Sequence, residues 1–292
     1  MLREALVDAA LDKYRLPRWM KPYVLEYLKG NSTATAIKHA TSFISVGRKK
    51  GVITKSEIIL PNGVRFRSEQ ILHLTSLFFY GEDRMSKISR TWATTASDGN
   101  IAHSNYCSAI AEVETKRARA LKNLVDGLGR RPVEPTPELV ALFDYIEDLT
   151  VWSERLIAKK IILFNSFALP FGYVFYRVFY PVSPEFMRSF GTAFNRREPE
   201  ELAGEEEATT IIQSNGIERE RLMKITEDVL VLITRAIDAE MRNAKRAGIE
   251  REVLLLRNVA IACPLHRLME LGVDFDIEKE ISLIKKGTAT RC

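Results

Sequence analysis

An apolar stripe at helical spacing runs along residues 106–128 and constrains this part of the chain to a long helix. Its members follow one another at steps of three or four residues, the spacing that lines one face of an α-helix. They are Tyr106, Ile110, Val113, Arg117, Leu121, Leu124 and Leu128. Arg117 interrupts the stripe and Glu114 lies at its edge. Since burying an unpaired charge is costly, the stripe predicts a helix with an ionic site in, or beside, its buried face.

The same feature recurs in the other predicted helices. Helical periodicity predicts helices over about 68–96, 101–127, 136–180 (kinked near Pro170), from 183 onward, 217–246 and 249–271. The first helix carries Glu82 among its apolar positions, the third carries Glu154, and the fourth opens with Glu185 and Arg188. Several carboxylates converging inside one bundle need a metal ion, a cationic partner or a proton.

The remaining segments predict other structure. The Asn62-Gly63 step between two β-branched runs predicts one hairpin over about residues 51–67. The charged stretch 195–210 predicts a loop or a solvated helix end, and the chain after 271 a polar tail. We therefore expect an N-terminal region of helices and a hairpin over 1–67, and a helical bundle domain over 68–292.

Composition favours a globular protein of the cytoplasm. Apolar residues make up 46% of the chain, enough for a sizeable core. The three cysteines form no CxxC pair, which argues against a disulfide framework and favours a reducing compartment. Residues 161–180 are almost continuously apolar, but Asn165, Pro170 and Arg177 interrupt them. We therefore expect a buried helix there and no membrane span.

The end of the second predicted helix resembles a known family. Residues 114–139 read ETKRARALKNLVDGLGRRPVEPTPEL. This is similar to the second helix and crossover of ferritin-like proteins, where a Glu-x-x-His-Ala motif precedes leucines, a Leu-Gly and a proline-marked loop. The resemblance covers about residues 68–195. It implies an up-down four-helix bundle and a carboxylate-bridged di-iron or di-manganese site.

The resemblance also implies site residues, and two of them depart from the family. Glu82 corresponds to the first-helix ligand, Glu114 to the Glu of the first Glu-x-x-His, and Glu154 to the third-helix ligand. Arg117 stands where the family has the first His. The second motif is best matched by Glu185-Phe186-Met187-Arg188, and a rival alignment near 194–197 also lacks His.

Arginine at the histidine positions changes the expected chemistry. A guanidinium has no lone pair for a metal but pairs well with carboxylates. The sequence thus predicts a mostly α, ferritin-like bundle with a degenerate metal site, extra C-terminal helices and a non-catalytic binding or scaffold role, without a resident cofactor. The alternative for Glu114 and Arg117 is an ordinary surface pair, because the i, i+3 spacing suits one equally well.

Two other functions compete with this one. An active di-iron or di-manganese oxidoreductase would use Glu82, Glu114 and Glu154, with His73 or His266 as further ligands.

A basic helical nucleic-acid-binding protein would contact phosphates through Arg48, Lys49 and Lys50. Whichever function holds, the long apolar segment 156–180 predicts a homo-oligomer. No residue pattern assigns a catalytic role, since the nucleophile-elbow, P-loop and dinucleotide motifs are missing from the sequence.

Overall fold

The computed structural model describes residues 65–95, 101–127, 129–168, 199–247 and 250–289, the strands at 52–53 and 57–59, and parts of the segment 4–25. These ranges are mostly α-helical, which confirms the predicted class. A short 3-10 helix, Arg18–Met20, precedes the strands β1 (Val52–Ile53), β2 (Glu57–Ile59) and β3 (Arg65–Arg67). The helices are α1 (Ser68–Thr94), α2 (Ile101–Gly127), α3 (Pro137–Glu147), α4 (Trp152–Leu156), a π-helical segment (Ile157–Ala168), α5 (Pro199–Gln213), α6 (Arg219–Ala247), α7 (Glu250–Glu270) and α8 (Ile277–Ala289).

The short strands form one antiparallel sheet in the order β1-β2-β3. Ile58 lies opposite Phe66 in the β2–β3 pair, and Val52 lies opposite Ile59 in the β1–β2 pair. The sequence suggested a single two-stranded hairpin over 51–67, whereas the structure has a third short strand in this range. The Asn62-Gly63 step lies outside the described residues.

The long helices α1 and α2 pack side by side and run antiparallel. Ser104 Oγ donates to the carbonyl of Ala93 at 2.8 Å, and Ser89, earlier in α1, contacts Glu114, later in α2. Ile88 and Leu121 are fully buried. The predicted stripe of α2 is therefore a core-facing stripe over most of its length.

A second group of helices covers this pair. The helix α3 packs against α6 and α1, while the π-helical segment packs against α5, α6 and α7. Thr136 caps α3, because its side chain accepts from the backbone N–H of Leu139, and Pro137 starts the helix. Ile157 and Ile161 are fully buried, so the π-helical segment is central to the core.

The prediction of one continuous helix over 136–180 is wrong in its first half. The helix α3 ends at Glu147, and α4 begins at Trp152. Val151 between them has an extended backbone, with φ −85° and ψ 129°. The carbonyl of Leu149, freed by this break, accepts from Arg155 Nε at 2.6 Å. A local side-chain contact therefore supplies a hydrogen bond to this carbonyl in place of one that a continuous helix would have made.

Two segments, predicted as a loop or solvated helix end and as a polar tail, contain helices. The stretch 195–210 contains most of α5, and the tail contains α8. In α5, Gly204 and Ala208 are buried and small, so the helix can approach its neighbours closely despite its many glutamates. Asp276 caps α8 by accepting from the backbone N–H groups of Glu278 and Lys279 at 3.1 Å.

The apolar segment 161–180 is described only as far as residue 168, and that part is largely buried in the helical core. None of the helices in the described ranges has the length and apolar character needed to cross a membrane.

Candidate functional site

Glu114 and Lys159 form a buried ion pair between α2 and the π-helical segment. Lys159 Nζ lies 2.7 Å from Glu114 Oε1, and each side chain is only 7% exposed. Ser89 of α1 links the pair, since its Oγ donates to Glu114 Oε2 at 2.8 Å and accepts from Lys159 Nζ at 2.7 Å. Both carboxylate oxygens of Glu114 are thus occupied by groups of the protein. The arrangement supplies the cationic partner that a buried carboxylate needs.

Trp92 completes the surroundings of this lysine. Lys159 Nζ lies 5.9 Å from the centre of the Trp92 ring, and Arg155 Cζ lies 5.2 Å from it. The negative face of the indole adds an attraction for both cations. Both cations therefore gain a favourable contact inside the helical layers.

Arg117 and Glu201 form the second interior ion pair, between α2 and α5. The guanidinium makes two parallel hydrogen bonds to the carboxylate, one of them 2.5 Å from Nη1 to Oε1. The side chains are 12% and 6% exposed. Burial by itself lowers the pKa of Arg117, but the hydrogen bonds to Glu201 and the charges of Glu82, Glu201 and Glu114 raise it overall. Arg117 is therefore a permanent cation that reaches into the bundle.

Glu82 of α1 supplies a third carboxyl group to the same interior. The pKa of Glu82 is raised to about 7, mainly by burial and also by the charges of Glu114 and Glu201, while the charges of Arg117 and Lys159 oppose this rise. No hydrogen bond joins its carboxyl to another of the described residues. Glu82 therefore changes its protonation near neutral pH.

Lys160 places a third cation beside these groups. It is 5% exposed, and the structure shows no hydrogen bond or ion pair from its Nζ to any described residue. The pKa of Lys160 is lowered to about 8, mainly by burial and also by the charge of Lys159, while the charges of Glu114 and Glu201 partly oppose this change.

These residues form what we call the interior ionic cluster. It contains three cationic and three carboxyl side chains: Arg117, Lys159, Lys160, Glu82, Glu114 and Glu201. The opposed charges are equal in number, so the cluster is neutral when all six groups are ionised. It can hold charges in a low-dielectric interior and exchange a proton near neutral pH.

The π-helical segment explains how two consecutive lysines reach one interior. A π-helix has more residues per turn than an α-helix, so neighbouring side chains diverge by a smaller angle. The segment spans 12 residues, Ile157–Ala168, and both Lys159 and Lys160 lie near its start. π-Helical turns are frequent at functional sites.

Glu154, the predicted third-helix ligand, lies against a different cation. Both of its oxygens accept from Arg221 of α6, one of them at 2.9 Å from Nη2. The glutamate side chain is 6% exposed while that of Arg221 is 53% exposed, so a buried carboxylate pairs with a guanidinium group at the surface. The structure therefore does not bring Glu154 to Glu82 and Glu114 as the resemblance implied.

The two histidine candidates also have separate surroundings. His73 Nε2 lies 2.6 Å from Glu240 Oε2 of α6. Burial lowers the pKa of His266, although the charge of Glu270 opposes this change. Within the part of the chain that the structure describes, no three His, Cys, Asp or Glu side chains form a group that could hold a metal ion.

Several predicted site residues lie outside the ranges that the structure describes. Glu185 and Arg188 lie outside the described residues. The same is true of Arg48, Lys49 and Lys50, the residues of the nucleic-acid alternative. These predictions remain predictions.

Sequence reasoning missed three members of the interior ionic cluster, namely Lys159, Lys160 and Glu201. Two lysines inside the apolar run IAKKIILF were a usable signal, because surface lysines seldom interrupt a buried stripe twice. For Glu201, the signal was the helical spacing of Glu201, Gly204 and Ala208. It was obscured by the surrounding glutamates.

Searches for relatives give no family for this chain. It matches no protein-family model, and it has no match among curated proteins.

Proposed function

We propose that this protein is a ferritin-like helical bundle with a binding or scaffold role, in which side-chain cations replace a pair of metal ions. The observation that carries the proposal is the position of Lys159 Nζ, 2.7 Å from Glu114 Oε1. In the family that the sequence resembles, Glu114 would donate this oxygen to a metal ion. A protonated amine at the same oxygen supplies the positive charge directly.

Arg117 supports the proposal from the neighbouring helix position. The Glu-x-x-His motif of the family would direct a histidine nitrogen from this position into the bundle. Arg117 points into the bundle too, but its guanidinium group binds the carboxylate of Glu201. A surface pair between Glu114 and Arg117 is not what the structure shows, since each of them pairs with a different helix.

Metal binding would have to compete with these ion pairs. A divalent ion at Glu114 would displace Lys159, leaving an ammonium group buried without a partner, at a cost of several kcal/mol. A protonated Glu82 would further reduce the negative charge available to a metal at neutral pH. The cluster is therefore better suited to stability and to ligand binding than to metal-dependent oxidation.

Elemental analysis tests the proposal. The full chain is purified without chelators, incubated with Fe(II) or Mn(II) under anaerobic conditions, desalted and analysed for bound metal. We expect no stoichiometric iron or manganese. About two ions per chain, the content of an active dimetal site, would overturn the proposal in favour of the oxidoreductase alternative.

A designed variant sharpens the test. Arg117→His with Lys159→Met restores the histidine of the motif and removes the competing ammonium, so we expect metal uptake to rise above that of the natural sequence. Arg119 is exposed on the same helix, and Arg119→His with Lys87→Met is the matched control. Equal metal uptake by the two double variants would contradict the idea that Arg117 and Lys159 occupy a former metal site.

A further inference from the structure

A buried hydroxyl of this protein lies without a hydrogen-bond partner close to a lysine side chain. Tyr106 Oη of α2 is buried and has no partner among the described residues. The structure shows no acceptor for Lys160 Nζ in the same part of the chain. Buried polar groups are nearly always paired, so the unpaired Tyr106 hydroxyl beside this amine indicates a ligand or a reaction.

Gly204 shows that the two groups are close together. A methyl group added at Gly204 would overlap Tyr106 Oη and would lie 3.1 Å from Lys160 Cε. The phenol and the end of the lysine side chain therefore converge on the bare backbone of α5. We call this group of three residues the Lys160 niche.

The surroundings of Lys160 are those of an activated amine. A lysine becomes nucleophilic when it is desolvated in the interior or lies next to another cation, because both favour the neutral amine. Lys160 satisfies both conditions, since it is buried and follows Lys159 directly. With its pKa at about 8, roughly a tenth of the Lys160 amines are neutral at pH 7.

We propose that Lys160 condenses with a small aldehyde or ketone to form a Schiff base, with the Tyr106 hydroxyl hydrogen-bonded to the carbonyl oxygen while the amine adds. This inference deepens the proposed binding role, on which it rests, by naming the class of ligand. The close packing of Tyr106 and Lys160 against Gly204 restricts the ligand to a few heavy atoms.

The reaction balances without any further reagent. The lone pair of Nζ adds to the carbonyl carbon, the C=O π bond breaks, and the oxygen takes up a proton from the Tyr106 hydroxyl. Tyr106 recovers a proton from the nitrogen, and the carbinolamine then loses its hydroxyl group with a second proton as water. One amine and one carbonyl compound thus give one imine and one water, and both hydrogens lost from nitrogen end on oxygen.

Reductive trapping tests the inference on the intact protein. The folded chain is treated at pH 7 with limiting acetaldehyde and sodium cyanoborohydride, which reduces the imine to a stable ethylamine, and the modified lysines are identified by peptide mass spectrometry. The side chains of Lys87 and Lys122 are 60% and 51% exposed and serve as internal controls. We expect Lys160 to be modified about tenfold faster than either control lysine.

Two further measurements distinguish activation from mere accessibility. Unfolding the protein in urea should abolish the preference for Lys160, because the niche exists only in the folded chain. Tyr106→Phe should slow the modification of Lys160 several-fold without changing that of Lys87 and Lys122. An unchanged rate in this variant would overturn the role of Tyr106.

The inference is overturned if, in the folded natural protein, Lys160 is modified no faster than the exposed lysines. This measurement uses the natural protein, so it does not depend on whether any variant folds. It is also separable from failure of the proposed function, because bound iron or manganese is measured on the same sample. Metal without an adduct overturns both proposals, an adduct without metal supports both, and a metal-free chain with no adduct overturns this inference alone.

Discussion

Ser89 Oγ lies between the two partners of a buried ion pair, donating to Glu114 at 2.8 Å and accepting from Lys159 at 2.7 Å. The three groups come from α1, α2 and the π-helical segment, so one closed hydrogen-bond triangle joins three elements of the core. Buried ion pairs of this kind are more costly to break than they are favourable to form, because one removed partner leaves an isolated charge. The first prediction follows from this asymmetry.

Replacing Lys159 by methionine should destabilise the protein by about 3–5 kcal/mol, because Glu114 would remain buried without a cation. The free energy of unfolding in urea measures the effect. Lys87→Met, which removes an exposed pair with Asp83, is the control and should cost about 0.5 kcal/mol. The double variant Lys159→Met with Glu114→Gln should recover most of the loss. A loss from Lys159→Met as small as that of the control would contradict the interior pair.

Arg117→Lys keeps the charge but should still destabilise the protein by about 1–3 kcal/mol. A lysine amine cannot make the two parallel hydrogen bonds that Arg117 makes to Glu201. Arg119→Lys changes an exposed residue on the same helix and should be neutral within about 0.5 kcal/mol. Thermal and urea unfolding measure the stability of both variants. If Arg117→Lys is as stable as Arg119→Lys, the bidentate pair is contradicted.

Glu82 should make stability depend on pH. Its pKa is raised from 4.5 to about 7 by burial, so the folded state holds the proton more tightly than the unfolded chain. The stabilisation by the protonated form is complete below about pH 4.5 and is lost as pH rises towards about 7, by up to about 3 kcal/mol. Glu82→Gln, which mimics the protonated carboxyl, should not show this loss.

The measurement is the difference in unfolding free energy between the natural protein and Glu82→Gln from pH 5 to pH 8. Taking this difference cancels the contributions of all other titrating groups, which the two proteins share. We expect the glutamine variant to become the more stable protein as pH rises. A difference that stays constant over this range would show that the pKa of Glu82 is not raised in the folded protein.

Gly204→Ala should destabilise the protein by about 1–3 kcal/mol, although alanine favours helices. The added methyl group would overlap Tyr106 Oη and lie 2.7 Å from Tyr106 Cζ, so the packing of α5 against α2 must shift. Gly127→Ala is the matched control, since nothing lies within 4 Å of a methyl group there, and it should be neutral or slightly stabilising. If Tyr106→Leu with Gly204→Ala shows the same penalty, the contact is not its cause.

The helices that sequence reasoning predicted best are those with a long, regular stripe. The predicted range 101–127 matches α2, and 217–246 differs from α6 by only a residue or two at each end. The spacing of apolar residues in such a stripe shows which face of the helix is buried, so the helix can be predicted without knowing its partner. The break between Glu147 and Trp152 was missed because Arg155 makes it favourable through a contact with Leu149 that spacing does not reveal.

The same distinction applies to the interior ionic cluster. The sequence by itself determined that Glu82, Glu114 and Arg117 fall in or beside the apolar faces of long helices, because helical period and residue type are local properties. Only the tertiary structure decided that Lys159 neutralises Glu114, that Arg117 binds Glu201, and that the buried Glu154 pairs with the exposed Arg221. The physical reason is that an ion pair depends on separations of a few ångströms between different helices, which packing fixes and spacing along the chain does not.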